Sequence, residues 1–255
     1  MIDIHSHILP NVDDGAANEA ESIKMAKEAV KEGITHIIAT PHHRNRNWKN
    51  NRTKILNDVD QLNQLLVAEN ITLKVLPGQE TRIYGDMVEG ILSGELLTQN
   101  DGRKYIFVEF PSNHVPRFTK QLFFDMQQQD IIPIIVHPER NSEIAQNSDI
   151  LYQLVKGGAL TQVTAACLCG KFGKKIKKLS LQMIENNLTH FIASDAHNTT
   201  MRNFYMQEAF EIIDKEFGSE YRYLFLENAQ LLVNGEMVYK EEPIEIIQKK
   251  FLGLF

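Results

Sequence analysis

Short β-branched runs alternate with amphipathic segments of helical length along most of the chain, and this alternation limits the possible folds more than any other feature. Candidate strands fall at 2–5, 34–40, 71–76, 104–110, 131–136, 160–165 and 188–194. Helical patterns lie between and after them, at 19–32, 53–69, 84–93, 117–129, 148–156, 174–187 and 202–215. In the first of these, Ile23, Ala26, Ala29 and Val30 form an apolar stripe beside Lys24, Lys27, Glu28 and Lys31, and Gly33 stands where the helix should stop. No Pro/Gly/Ser-rich linker interrupts the pattern, so residues 1–255 read as one α/β domain. With 43% hydrophobic residues the core is ample. Seven strands suggest a closed or nearly closed barrel, although an open doubly wound sheet has the same local pattern, and periodicity does not choose between them.

Composition removes several function classes. A formal net charge of -6 does not favour nonspecific attraction to nucleic acid or to an anionic membrane. The longest fully aliphatic runs, such as Ile134-Ile-Val136, are far too short to cross a bilayer. The first strand starts at residue 2, which leaves no room for a cleavable leader, and a cytoplasmic protein is expected. Cys167 and Cys169 are too close for an ordinary structural disulfide and fit a reducing compartment; both are expected to be buried or partly buried strand residues.

Chemistry-bearing residues collect at strand ends. Met1-Ile-Asp-Ile-His-Ser-His7 places His5 and His7 two apart on a strand, so both imidazoles point to one side, where one cation can bridge them. Thr35-His-Ile-Ile-Ala-Thr-Pro-His42 echoes Thr189-His-Phe-Ile-Ala-Ser-Asp-Ala-His197, and each strand finishes at a histidine. His137 ends Ile134-Ile-Val-His137, Glu80 follows Pro77-Gly-Gln, and Glu109 closes Tyr105-Ile-Phe-Val-Glu109. With Asp14 and Asp195 these make nine candidate ligands: His5, His7, Asp14, His42, Glu80, Glu109, His137, Asp195 and His197. In α/β barrels and sheets the C-terminal strand edge is where loops build the site. The remaining histidines have plainer readings: His36 and His190 as structural residues early in their strands, His114 in a loop, His43 beside the ligands.

A set of imidazoles and carboxylates without thiolate disfavours a zinc finger or an iron–sulfur centre and favours Mn²⁺, Fe²⁺ or Zn²⁺. Nine ligands exceed what one ion needs. Two or three clustered cations would polarise an anionic substrate oxygen, lower the pKa of a bridging water and stabilise the leaving oxygen of an in-line displacement, which suits hydrolysis of a phosphate ester. Arg140 and Arg202 each lie just past a ligand, and a guanidinium fork can hold two phosphate oxygens. The loop after His43 carries Arg44, Arg46, Trp48, Lys49 and Arg52. It could close on an anionic aromatic group; the simpler account is a solvated loop. Lys171, Lys174, Lys175, Lys177 and Lys178 read as an exposed helix face. The C-x5-R signature of cysteine phosphatases is excluded, because positions 173 and 175 are Gly173 and Lys175.

Taken together, Asp3-Ile-His-Ser-His7, Asp13-Asp14-Gly15, Thr40-Pro-His42, Gly78-Gln-Glu80, Val108-Glu109-Phe110, His137-Pro-Glu-Arg140 and Ala193-Ser-Asp-Ala-His-Asn198 resemble the PHP (polymerase and histidinol phosphatase) superfamily. Within it they are most similar to the bacterial CpsB/CapC-type tyrosine-protein phosphatases, over essentially the whole chain. The resemblance implies a distorted (β/α)7 TIM-like barrel with a trinuclear, usually manganese-dependent site. It implies one ion on His5, His7, Glu80 and Asp195, a second bridged by Glu80 and held by Glu109 and His137, and a third on Asp14, His42 and His197. Arg140 and Arg202 match the family's phosphate-orienting arginines. The implied substrate is phosphotyrosine in a protein, a bacterial tyrosine autokinase controlling capsule or exopolysaccharide synthesis, and a phenolate leaving with a pKa near 10 needs no strong general acid.

Other readings share parts of this pattern. A histidinol-phosphate or other small-molecule phosphatase would use the same site. A nuclease-like phosphoesterase sits poorly with the acidic charge, and a non-catalytic PHP regulatory module would be expected to lack ligands. An amidohydrolase also begins with H-x-H, but Asp195-Ala-His197 and the two arginines fit phosphate better.

Overall fold

The computed structural model describes residues 1–45 and 48–247. Of the basic loop, Arg46 lies outside the described residues. The strands are β1 (Ile2–Ser6), β2 (His36–Ala39), β3 (His42–Asn45), β4 (Trp48–Lys49), β5 (Lys74–Pro77), β6 (Glu80–Arg82), β7 (Tyr105–Glu109), β8 (Ile132–Val136), β9 (Leu160–Thr164) and β10 (Phe191–Ala193). The helices are α1 (Glu19–Lys31), α2 (Arg52–Ala68), α3 (Met87–Leu92), α4 (Thr119–Gln127), α5 (Ser142–Gln146), α6 (Asp149–Lys156), α7 (Ala165–Leu168), α8 (Lys174–Glu185), α9 (Met206–Phe217) and α10 (Ser219–Asn234). Together they make an α/β fold in which every strand pairing is parallel except the β3–β4 hairpin.

Two ladders result, β1-β2-β5 and β10-β9-β8-β7-β6-β3-β4. They are joined twice. On one side, β2 and β5 run into β3 and β6 across breaks at Pro41 and at Gly78-Gln79, so the strands expected at 34–40 and 71–76 each continue after an interruption. Pro41 has no N–H for the ladder, but its carbonyl accepts the Glu80 N–H at 3.1 Å and carries the pairing through. On the other side, the Asp195 N–H reaches the His5 carbonyl at 2.9 Å and the His7 N–H reaches the Ala196 carbonyl at 2.8 Å. Asp3 reinforces this second seam, accepting the Ser194 N–H at 2.9 Å and the Ser194 hydroxyl at 2.5 Å.

Period-2 alternation sorts the strand residues into two layers. Ile38, Tyr105, Phe107, Ile134, Val136, Leu160, Phe191 and Ala193 form one buried cluster, while Ile37, Ile106, Val108, Ile135, Val163 and Ile192 join the larger cluster that includes residues of the helices. α10 and the segment after it cap the first cluster. Ala229, Leu232 and Val238 belong to it, and the Tyr105 hydroxyl donates to the Glu236 carbonyl at 2.5 Å. The sequence reading ended its helices at 215 and lacked α10, because Tyr221, Tyr223, Leu226 and Leu231 spread apolar surface round the helix and leave no single stripe.

β1 departs from strict alternation at the place that matters most. Its register against β2 shifts by one residue between Asp3 and Ser6, a β-bulge. Ile2 and Ile4 share the cluster of Phe107, yet the His5 ring also packs on Phe107, at 5.1 Å between centroids. The bulge turns His5 and His7 onto the face that Ile2 and Ile4 already occupy.

Two local expectations need correction. Cys167 and Cys169 are not strand residues: β9 stops at Thr164, and Cys167 lies in the single turn of α7 with Cys169 at its end. Val163-Thr-Ala-Ala-Cys-Leu is an apolar run that periodicity cannot assign, and its Ala and Leu favour helix. Burial of Cys167 and partial burial of Cys169 are as expected. Arg202 does not begin a helix either, since α9 starts at Met206. The Asn198 side-chain oxygen accepts the N–H groups of Thr200 and Arg202, holding residues 198–202 as a turn.

Gly15 closes the β1–α1 loop against β1. A Cβ there would lie 2.1 Å from the His7 carbonyl oxygen and 2.5 Å from its Cβ, neither of which can swing aside. Gly15→Ala is expected to lower the urea midpoint by an amount worth about 1–3 kcal/mol, the usual range for forced overpacking. A parental midpoint would show that the loop yields freely.

Candidate metal centre

Seven of the nine candidate ligands lie near the C-terminal end of a strand or in the loop after it, His42 and Glu80 open β3 and β6 just past the breaks that follow β2 and β5, and the fold brings all nine together. Two need backbone conformations that most residues avoid: His137 follows β8 with φ 38° and Asp195 follows β10 with φ 52°. These left-handed residues end their strands and turn the ligand side chain inward. Backbone hydrogen bonds hold both in place, from the His137 N–H to the Gln162 carbonyl and from the Asp195 N–H to the His5 carbonyl.

Three groups have ligand atoms within 4.8 Å of one another: His5, His7, Glu80 and Asp195; His7, Asp14, His42 and His197; and His42, Glu80 and Glu109. In the first, His5 Nε2 lies 3.4 Å from Glu80 Oε2 and 3.4 Å from Asp195 Oδ1, and His7 Nε2 lies 3.2 and 3.3 Å from the same oxygens. All four atoms are buried and without a hydrogen-bond partner. Bonds of about 2.1 Å to a common cation would space ligand atoms roughly 3.0–3.4 Å apart, so this quartet has the spacing of a coordination shell.

The groups share members in a way the sequence did not anticipate. His42 turns Nδ1 to Glu80 Oε2 at 2.9 Å and Nε2 to Asp14 Oδ1 at 3.4 Å, so it serves two groups, as does His7. His137 is outside the third group; its Nε2 contacts the other Glu80 oxygen at 2.7 Å. His197 Nε2 completes the second group 3.3 Å from Asp14 Oδ1.

Sequence reasoning missed four residues that orient these ligands. Asp13 Oδ2 lies 2.7 Å from His7 Nδ1 and also accepts the His42 N–H, while its Oδ1 accepts the Gly15 N–H. Gln162 Oε1 lies 2.9 Å from His5 Nδ1. Asn45 donates to Glu109 Oε2 at 2.8 Å, and Arg82 donates to Glu109 Oε1 at 3.0 Å. Partners of this kind fix which ring nitrogen or oxygen faces a cation. Asp13 had a signal, being next to Asp14; Gln162 had a weaker one, as a polar residue in a strand buried throughout.

Arg140 and Arg202 meet at one oxygen. Arg140 Nη2 is 2.7 Å and Arg202 Nη2 is 3.3 Å from Asp195 Oδ2, and Arg202 Nη1 is 3.3 Å from Asp14 Oδ2. Each carboxylate thus gives one oxygen to a ligand group and the other to an arginine. Both guanidiniums line a cavity of about 340 Å³ with Asp14, His42, Trp48, Glu109 and Asp195. Of the lysine run, Lys174, Lys175 and Lys178 are exposed on α8 as expected, Lys177 is half-buried, and Lys171 stands ahead of the helix, paired to Glu208 at 3.1 Å. His190 is structural, its Nδ1 accepting the Thr161 N–H, and His114 is exposed in a loop.

Burial works against charge throughout the cluster, and close partners overturn it unevenly. Burial pushes Glu80 up, but His42 and His5 hold it well below the carboxylate range; Arg140, His197 and His5 do the same for Asp195. His7 is raised well above its usual value despite burial, by Asp13, and His42 is raised to about 10, chiefly by Glu80 and Asp14. Burial and the Glu80 charge push Glu109 up to about 8. His137 falls to about 4 through burial and Arg140, and His197 to about 4 through burial and His7.

Without a cation, His7, His42 and Glu109 therefore hold protons at pH 7, and cation uptake must displace them. Adding Mn²⁺ to metal-stripped protein at pH 7 is expected to release protons, with apparent affinity rising as pH climbs toward 10. Calorimetry in buffers of different ionisation enthalpy measures both. Affinity that does not change between about pH 6 and 9 would contradict the site's electrostatics.

A model of the capsular polysaccharide synthesis family CpsB/CapC matches residues 1–234. The tyrosine-protein phosphatase YwqE of Bacillus subtilis is 51% identical over 255 residues, covering all of both chains. The putative tyrosine-protein phosphatase CapC of Staphylococcus aureus is 43% identical, also over the full length of both. A crystal structure from work on B. subtilis YwqE and Streptococcus pneumoniae CpsB, described as unique metal-dependent tyrosine phosphatases, superposes with a TM-score of 0.95 at 50% identity, covering 97% of this chain and 100% of that one. With the family matched over nearly the whole chain and a full-length relative above half identity, the chain belongs to the CpsB/CapC family.

Proposed function

We propose that this chain is a manganese-dependent phosphomonoesterase that hydrolyses phosphotyrosine in proteins, and that residues 1–255 form a single domain of distorted (β/α)7 barrel type. The hydrogen bonds that tie β1 to Asp195 and Ala196, and the paired breaks at Pro41 and Gly78, support the barrel. The observation that carries the function is the convergence of Arg140 and Arg202 on Asp195 Oδ2, whose other oxygen faces His5 and His7. That arrangement puts two planar cations beside a cluster suited to divalent ions.

His5, His7, Asp14, His42, Glu80, Glu109, His137, Asp195 and His197 are the residues that would hold two or three cations. Bound there, the cations would polarise phosphoryl oxygens and lower the pKa of water toward neutrality. The protein's own part is positional. Asp13, Gln162, Asn45 and Arg82 set the direction of the ligands, and Arg140 and Arg202 hold the phosphoryl oxygens so that the ester bond stands in line for attack. An all nitrogen and oxygen donor set suits Mn²⁺, with Fe²⁺ and Zn²⁺ as alternatives. The names of the full-length relatives support a phosphotyrosine protein as substrate, and the family's capsule context supports a bacterial tyrosine kinase as that protein. Among the described residues no helix is long and apolar enough to cross a membrane, and the two free cysteines support a reducing, cytoplasmic setting.

Metal-stripped protein reconstituted singly with Mn²⁺, Fe²⁺, Zn²⁺ and Mg²⁺, and assayed on phosphotyrosine peptide, phosphoserine peptide and histidinol phosphate, tests the reading. Greatest turnover of phosphotyrosine with Mn²⁺ is expected. Undiminished turnover after complete metal removal would sink it, and preference for histidinol phosphate would move it to small-molecule chemistry. Arg140→Ala and Arg202→Ala should each lower kcat/KM by about two to three orders of magnitude, with metal content near that of the parent, because each loses a charge-assisted contact to a dianion. Lysine at either position should restore only part, since an ammonium lacks the planar fork. Loss of activity that merely tracks loss of metal would refute the clamp.

A further inference from the structure

We propose that Trp48 is the specificity-determining wall of this site, an indole platform on which the ring of an aryl phosphate ester stacks while Arg140 and Arg202 hold its phosphoryl group. The inference rests on the phosphoesterase reading above and identifies the part of the site that selects the leaving group.

The β3–β4 hairpin sets the indole in place. Asn45 and Trp48 are register partners across it, and both line the cavity that holds the arginines. The indole lies nearly parallel to the His42 imidazole, at 15° and 5.2 Å between centroids. His42 in turn contacts Asp14 at 3.4 Å, and Asp14 contacts Arg202 at 3.3 Å. Three contacts therefore lead from the Arg202 guanidinium to the indole, and the indole lines the same cavity as both arginines.

Among the described basic residues around the hairpin, Arg44 and Arg52 do not compete for this role. Arg44 turns outward, paired with Glu95 at 2.8 Å and lying 4.0 Å over the Tyr84 ring, and Arg52 is paired with Asp101 at 2.5 Å. Neither Arg44 nor Arg52 is among the residues that line the cavity, whereas the half-buried indole is. An alkyl phosphate would leave that face in water. An aryl ester would cover it, and stacked aromatic pairs add to binding beyond the area they bury. The same ring selects for the better leaving group, since a phenolate departs without a strong general acid.

Trp48 is the sole tryptophan of the chain, so its fluorescence reports on the platform directly. Phenylphosphonate and methylphosphonate serve as non-hydrolysable probes of Mn²⁺-loaded protein, each as a competitive inhibitor of phosphotyrosine-peptide turnover and as a ligand in fluorescence titration. Phenylphosphonate should perturb the emission and methylphosphonate should leave it nearly unchanged. In Trp48→Leu the inhibition constant for phenylphosphonate should rise roughly two- to twelve-fold, the range that a stacked aromatic contact converts to, while that for methylphosphonate stays put. Trp48→Phe should keep most of the preference with parental metal content, which guards against a collapse of His42 in the leucine variant. The same preference for phenylphosphonate in Trp48→Leu as in the parent, or equal weakening of both probes, would overturn the platform. Absence of phosphotyrosine turnover in the parent would instead remove the phosphoesterase reading itself.

Discussion

A carboxylate taken out of water loses several kcal/mol of solvation unless positive charge stands beside it, and the two acids of the buried quartet, Glu80 and Asp195, have side chains with almost no exposure. Their surroundings follow from that need. Glu80 has His5, His7 and His42 around one oxygen and His137 on the other, and Asp195 has His5 and His7 on one oxygen and two arginines on the other. Most of the strand ends contribute to this arrangement, so the barrel-like convergence of strands and the chemistry of the site are one constraint seen at two scales.

The constraint also explains how the inner face is divided. Near the strand starts it is apolar, with Tyr105, Leu160 and Phe191 packed under α10; near the strand ends it carries ligands. Phe107 marks the boundary, touching Ile4's cluster below and the His5 ring above. The bulge in β1 allows this change within one five-residue strand, since strict alternation would have sent His5 to the face opposite Ile4. A dry floor lowers the local dielectric and strengthens each ion pair above it.

Much of this was legible in the sequence, and for a physical reason. His42, Glu109 and His137 stand where apolar runs stop; any one such group is more often solvated or hydrogen-bonded than metal-bound, but nine of them near strand ends point jointly to one site. The α/β alternation could be read as well, because outward positions such as Ile106 and Val108 and inward positions such as Tyr105 and Phe107 are both buried and make continuous apolar runs. What could not be read was set by long-range contact. The continuation of β2 into β3 past Pro41 depends on pairing with β6, about 40 residues later in the chain. Asn45 and Arg82 act by facing Glu109, 64 and 27 residues away, and no local pattern distinguishes them from ordinary polar residues. The sharing of His42 between two groups depends on the direction of its ring, which sequence does not encode.

The central claim is that the buried quartet of His5 Nε2, His7 Nε2, Glu80 Oε2 and Asp195 Oδ1 is a coordination shell and not a self-neutralised ion-pair cluster. Anomalous diffraction from crystals of the Mn²⁺-loaded protein, recorded on both sides of the manganese absorption edge, tests it most directly. The account predicts an edge-dependent peak within about 2.0–2.4 Å of all four atoms, with further peaks at the groups built on Asp14 and on Glu109. Full manganese occupancy elsewhere in the protein with no peak inside the quartet would contradict it.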